Sequence, residues 1–264
     1  MAVELPLRGE HGYLLLVMNS AQPWLIPNEV PLPHNFVGFD PTNSVPDLGF
    51  SAYHRHLPHW RKEGACYLVT FRLTDSLPAE VVMEMKRQAA AWQQRLATAT
   101  TEHEGRLPEE MRQEWELFQS HQLRKLDQML DEGRGECVLR EETHREIVTQ
   151  ALHYFEERRS ALHAYVVMPN HVHVLGQPLP GHSLEHLCGS WKRHTSRLIQ
   201  GRLNRRGSLW QAENFDRIIR DPQHFAQTVR YIAKNPLKAG LSSREATVWM
   251  HPAIRDANGW AAPA

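Results

Sequence analysis

The sequence predicts an α+β protein built on an antiparallel sheet. Strand-like runs rich in β-branched and aromatic residues are interspersed with helical stretches of amphipathic spacing. Two of the strand runs are joined by a turn of only two residues, Pro169-Asn170, and a connection that short joins antiparallel neighbours. No internal repeat competes with that architecture.

The elements follow in order. Residues 1 to about 50 carry Pro23, Pro27, Pro31, Pro33, Pro41 and Pro46, which interrupt any regular element, so an irregular N-terminal extension is expected. Arg55, His56, His59, Trp60, Arg61 and Lys62 form a basic, aromatic lead-in. Residues 66–73 read as a strand by content. Pro78 opens a helix to about residue 98, with Ser76 as its expected N-cap. A second helix runs from about 107 to 130, with Trp115, Phe118, Leu123, Leu126 and Leu130 at helical spacing, and Gly133 and Gly135 stop it. Residues 136–139 suggest a short strand and residues 145–161 a further helix. The hairpin pairs residues 163–168 with 171–176. Ser183 caps a helix over residues 184–202, and residues 208–220 read as extended and irregular. Asp221-Pro222 starts a helix that places Phe225, Val229 and Ile232 on one face and is expected to end near Asn235-Pro236. Three regions result: the extension over 1–50, a domain over 51–245 and a tail over 246–264.

Composition narrows the function classes. The chain has 264 residues, 41% hydrophobic and 23% charged, as expected for a globular protein of one large domain or a core with additions. The formal net charge is zero, which by itself argues against a nucleic-acid partner. The average conceals an asymmetry. Residues 184–244 hold twelve Lys/Arg against four Asp/Glu, a balance of +8, whereas residues 101–160 hold nine against fifteen, a balance of −6. A basic segment of that kind attracts a phosphate backbone, although solvated helix faces have the same composition. Cys66, Cys137 and Cys188 are odd in number and far apart, which fits a reducing interior and offers no cysteine metal site. The apolar run over residues 14–18 is too short to cross a bilayer, and no signal peptide is evident. The expected compartment is the cytoplasm, with no membrane partner.

The most informative motif is His171-Val172-His173 on the return strand of the hairpin. Strand side chains alternate, so both imidazoles face one side and Val172 the other, toward a core. Two neutral nitrogens side by side on a rigid element suit a divalent metal. Tyr231 follows, in the run Arg230-Tyr231-Ile232-Ala233-Lys234-Asn235-Pro236. Its phenol has an ordinary pKa near 10 and is a weak nucleophile unless the group it attacks is polarised. A cation on the two histidines could polarise a phosphate in that way, with Arg230 and Lys234 adding to the field.

The Pro-Asn-His-Val-His hairpin, Leu209-Trp210-Gln211, Phe215-Asp216-Arg217 and the tyrosine run to Leu241 together resemble the IS200-like tyrosine transposases, and within them the REP-associated tyrosine transposases. These are HUH enzymes, named for two histidines flanking a hydrophobic residue, and the resemblance spans about residues 54–241. It implies a ferredoxin-like antiparallel sheet with the histidines on a central strand, packed helices and a helical insertion. It implies His171 and His173 as metal ligands, with Asn235, one turn after Tyr231, as a third, against the alternative of an ordinary helix-stop asparagine. Imidazole alone favours zinc, copper, iron or nickel, while a site open to phosphate oxygens suits Mg²⁺ or Mn²⁺, the pair that the resemblance favours. Tyr231 becomes the nucleophile that cleaves and rejoins single-stranded or hairpin DNA through a 5′-phosphotyrosine, in a monomer rather than a dimer. Lys192, Arg193, Arg197, Arg205, Arg206, Arg217, Arg230 and Lys234 are expected to meet the DNA. Trp210, Trp191 and Tyr53 could stack on unpaired bases, or lie in the core. Asp216 and Arg217 could instead pair with each other. The rival readings are a non-catalytic hairpin-binding protein and a metal-dependent hydrolase unrelated to DNA. Replication and conjugation nickases usually place the tyrosine before the histidines, and here it comes after.

Overall fold

The computed structural model describes residues 24–39, 50–54, 58–103 and 108–260, with side chains undescribed over 50–60 and at Thr100 and Arg112. Its elements are β1 (Phe50–His54), β2 (Pro58–Lys62), β3 (Tyr67–Arg72), α1 (Ala79–Glu102), α2 (Glu109–Asp131), a 3₁₀ turn (Val138–Arg140), α3 (Glu142–His153), β4 (Ser160–Val167), β5 (His171–Pro178), α4 (Leu184–Arg202), β6 (Phe215–Ile218), α5 (Pro222–Lys238), β7 (Thr247–Met250) and α6 (Pro252–Ala257). The main sheet has five strands in the order β6-β3-β5-β4-β7, with every neighbouring pair antiparallel. The first four of those strands, with α3 and α4 as crossovers, make the expected ferredoxin-like βαββαβ arrangement. β5 is its middle strand, hydrogen-bonded on both edges.

Alternation along the strands sorts the core into two layers. Tyr67, Val69, Phe71, Val172 and Val174 face α3 and α4, where they meet Val148, Leu152, Leu187 and Trp191. Leu68, Ala164, Val166 and Leu175 face α5, where they meet Phe225, Val229, Ile232 and Ala233. A register shift between Leu162 and Ala164 lets His163 and Ala164 both serve the α5 side, and the His163 ring packs edge-on against Phe225 at 5.4 Å. α1 and α2 form an insertion between β3 and α3. They are held to each other by Trp92, Trp115 and Phe118 and by a buried cluster of Leu77, Met85, Leu126 and Leu130.

Several expected boundaries are corrected. α1 has Pro78 at its N-cap, and Ser76 instead donates its hydroxyl to the Leu73 carbonyl. The helix runs on to Glu102, past the expected end at 98. The anticipated strand over 136–139 is a 3₁₀ turn, because Cys137 is left-handed at φ 52° and Leu139 donates its N–H to Pro169 rather than to a strand. α3 ends at His153, and β4 already starts at Ser160. The stretch over 208–220 contains β6, an edge strand recognisable only from its pairing with β3. α5 passes through Pro236 and ends at Lys238. Gly240, at φ 64°, closes it: Gly240 N–H bonds to Leu237 and Leu241 N–H to Pro236 in a Schellman closure. The expected tail over 246–264 is part of the domain as far as it is described, since β7 pairs with β4 and Ile254 of α6 is buried against the α5 layer. Of the extension, residues 24–39 pack on the domain, with Trp24 donating to the Leu241 carbonyl and Asn258 bonding Asn28 and Glu29.

Candidate active site

The site is built where β5, α5 and α2 converge. β5 turns His171 and His173 toward α5 and Val172 into the opposite layer, as alternation requires. Both imidazoles are almost completely buried. Burial, with the nearby Lys238 charge, pushes the His171 pKa down to about 3, and burial first and His171 second push His173 well below its ordinary value. Both rings are therefore neutral, the state in which imidazole binds a metal.

Their tautomers are set by neighbours. Asn170 donates its amide N–H groups to the Leu130 and Arg134 carbonyls, both at 3.2 Å, so its Oδ1 faces His171 and accepts from Nδ1 at 2.7 Å. That leaves a lone pair on His171 Nε2, which has no hydrogen-bond partner among the described residues. Thr70, cross-strand from His173, lies 2.7 Å from its Nδ1, and the Tyr231 hydroxyl lies 3.1 Å from its Nε2. With the proton on Nδ1 shared with Thr70, Nε2 accepts from the phenol. Both imidazoles thus present Nε2 to the α5 side, fixed from behind in the way that metal-binding histidines are.

α5 supplies Tyr231 and, one turn later, Asn235. Pro222 at the first turn and Asp221, which accepts from His224 N–H at 2.7 Å, start the helix. The apolar face of Phe225, Val229 and Ile232 seats it on the sheet. Asn235 is fully buried, and neither of its amide atoms meets a hydrogen-bond partner among the described residues. The spacing put it beside Tyr231, and the structure does bring them together. α2 contributes two residues that the sequence did not single out. Asp127 is buried with its Oδ1 3.9 Å from His173 Nε2, and Asp131 pairs with Lys238 at 3.7 Å. Lys238 also stands over the Tyr231 ring, 5.8 Å from its centroid. Burial, with the Asp127 carboxylate next in importance, holds the Tyr231 pKa well above 10, and burial pushes Asp127 up to about 7. The phenol is thus neutral, and a positive charge placed beside it would favour its ionised form.

The donors fit a divalent cation. Buried orphan atoms are costly, and His171 Nε2, Asn235 Oδ1 and Asp127 Oδ1 are three of them in one place. As the side chains stand, no three His, Cys, Asp or Glu among the described residues are grouped so that they could hold a metal ion. The fit therefore rests on the two imidazoles and the Asn235 amide.

The proposed DNA contacts divide. Arg193, Arg197, Arg206 and Lys234 are exposed. Lys192 bonds the Ala212 carbonyl and Asn214 Oδ1, and Arg205 pairs with Glu136. Arg230 is occupied by the Pro27 and Asn28 carbonyls. Arg217 is half-buried, and Asp216 pairs with Arg61 at 2.6 Å rather than with Arg217. Trp210 and Trp191 are core residues: Trp210 is 2% exposed, packs edge-on against Phe71 and donates to Thr195, so neither ring offers a stacking face. The side chain of Tyr53 lies outside the described residues. A cleft of about 300 Å³, lined by Arg61, Cys188, Lys192, Arg193, Gln211 and Asn214 among others, lies along α4 and not at the histidines.

The family described as Transposase IS200 like matches residues 134–235. The matched stretch runs from the end of the insertion through the histidine hairpin to Asn235. A solved structure of a REP-associated tyrosine transposase bound to a REP hairpin is similar at 15% identity, over 72% of this chain and 74% of that one, with a TM-score of 0.38. No curated protein matches the chain. Among the described residues no helix is long and apolar enough to cross a membrane.

Proposed function

We propose that this protein cleaves and rejoins hairpin-forming single-stranded DNA with Tyr231 as nucleophile, assisted by Mg²⁺ or Mn²⁺ held by His171, His173 and Asn235. The observation that carries this reading is the 3.1 Å separation of the Tyr231 hydroxyl from His173 Nε2. Nucleophile and ligand site, 58 residues apart in sequence, share one buried spot. The family match across residues 134–235 supports the reaction class, and the hairpin in the similar solved structure suggests the form of the substrate.

The chemistry follows from the groups present. Tyr231 Oη attacks the phosphorus as its proton is released to solvent, the bond from phosphorus to the leaving 3′ oxygen breaks, and that oxygen takes up a proton so that the strand leaves with a free 3′ hydroxyl. The 5′ phosphate stays esterified to tyrosine, so a later 3′ hydroxyl can reverse the step without an external energy source. A bound cation would polarise the scissile phosphate and offset its developing charge. His171 and His173 hold their lone pairs forward because Asn170 and Thr70 hold their other nitrogens. Ile232 and Ala233, packed on the sheet, fix the height of the phenol. Exposed Arg193, Arg197 and Arg206 supply positive surface for the backbone.

The test is incubation with end-labelled hairpin oligonucleotides and Mn²⁺ or Mg²⁺, resolved under denaturing conditions. Wild type is expected to form a covalent adduct that needs the cation. Tyr231→Phe should form none while still shifting the hairpin in a native gel. An adduct that persists in Tyr231→Phe rules out the assignment.

A further inference from the structure

The inserted helix pair reaches the candidate site. Its second helix, α2, sends Asp127 into the site against the Tyr231 hydroxyl. The carboxylate is 5% exposed, and its Oδ1 has no hydrogen-bond partner among the described residues. Burial disfavours the ionised form of such a carboxyl, so it would gain from a cation placed beside it. Nearby Lys238 is already paired with Asp131. The remaining direction leads to His173 Nε2, 3.9 Å away. Two donors on one Mg²⁺ or Mn²⁺, each at about 2.1 Å, can stand no more than about 4.2 Å apart. The observed separation falls within that limit.

The helix is held in register for this contact. Leu126 and Leu130, on either side of Asp127, are buried in the insertion's own core. The Leu130 carbonyl at the end of α2 receives Asn170 Nδ2, the same side chain that orients His171. One asparagine therefore ties the insertion to the histidine strand, so Asp127 and His171 are positioned by a common anchor. Tyr231 at present bonds His173 Nε2, and its ring has to turn before a cation is seated.

Resting on the metal-binding reading above, we infer that Asp127 is an additional ligand, delivered by the insertion, so that the cation is held by His171, His173, Asn235 and a carboxylate. A carboxylate oxygen beside an amide oxygen makes the set harder than two imidazoles alone and favours Mg²⁺ or Mn²⁺ over a softer metal. The inserted helices then become part of the site, and their displacement would cost metal affinity.

The test measures Mn²⁺ binding directly, on the full chain without DNA, by calorimetric titration and by the loss of the free-Mn²⁺ resonance signal. Wild type, His171→Ala, Asp127→Asn and Asp127→Ala are compared. Removing a lone buried carboxylate relieves desolvation, so both Asp127 variants are expected to fold with a melting temperature no lower than metal-free wild type. If one does not fold, the other is read. The expected result is that Asp127→Asn binds Mn²⁺ at least tenfold more weakly and gains less thermal stabilisation from it. If His171→Ala loses affinity while both Asp127 variants stay within twofold of wild type, the inference is overturned and the histidine site stands. If His171→Ala binds as wild type does, the metal-binding reading itself is wrong, and this inference goes with it.

Discussion

Asn170 shows how much a single side chain can organise. Its amide nitrogen satisfies two carbonyls at the end of the insertion, and its oxygen holds the proton of His171 Nδ1. Replacing it with alanine leaves two carbonyls and an imidazole N–H without these partners. Asn170→Ala should lose about 1–3 kcal/mol of stability, read by denaturant unfolding. It should also bind Mn²⁺ about 10–100-fold more weakly, the usual cost of losing a group that orients a ligand. A stable variant with unchanged Mn²⁺ affinity would show that the strand alone orients the ring. His163, away from the site, makes a separate prediction about pH. Burial, chiefly, holds its folded pKa near 4 against an ordinary value of 6.5, with Gln177 as its hydrogen-bond partner and the charge of His251 opposing protonation. The unfolded chain therefore binds more protons between those values. Its contribution to stability is complete above about pH 6.5 and is lost as the pH falls through about 4. His153 and His224, also held near 4 by burial, act in the same sense, while Glu156, raised to about 7 by burial, acts in the opposite one. In His163→Gln the fall in melting temperature from pH 6.5 to 4 should be shallower than in wild type, and an unchanged slope would contradict the assignment.

At the scale of elements, α5 is the one whose placement matters most, because it carries both the phenol and Asn235. Its start is secured by Asp221 and Pro222 and its end by Gly240 at φ 64°. An alanine there has open space around its Cβ but must adopt the left-handed backbone. Gly240→Ala should cost about 1–2 kcal/mol from that conformation alone. Because Asn235 lies only one turn before the closure, the adduct yield should fall as well. A thermal melt identical to wild type would mean that the closing turn rearranges at no cost. Helix starts of this kind are legible in sequence, since Ser183 and Asp221 cap through local chemistry. The end of α5 is not legible in the same way, because proline is an ambiguous stop. Its missing N–H is tolerated when the flanking turns are held by packing, and Pro236 is itself buried.

At the scale of the whole molecule, a net charge of zero has to be reconciled with the DNA partner proposed above. The asymmetry does so if the exposed arginines of α4 form the contact surface while the acidic residues sit largely on the insertion. Arg193→Glu with Arg197→Glu should weaken hairpin binding in a native gel by about tenfold or more at low salt. The same change should make the slope of log affinity against log salt shallower by about one to two units, as expected for lost phosphate contacts. If the slope is unchanged, the DNA lies elsewhere, and the cleft beside Arg61 and Gln211 becomes the first alternative.

Local chemistry and short periods along the chain are enough to specify several parts of the fold. Two residues of turn between apolar runs gave an antiparallel hairpin, period-two alternation put His171 and His173 on one face, and period 3.6 put Tyr231 beside Asn235. Which distant pieces meet depends on packing. Asp127 carries no local mark that separates it from the other acidic residues of its helix, and Trp210 carries none that distinguishes a stacking ring from a core ring. Edge strands β6 and β7, of four residues each, are too short for their pattern to register. Such residues acquire their roles from packing across long separations, 46 residues in the case of Asp127 and His173, and no interaction over a few positions of chain can encode that.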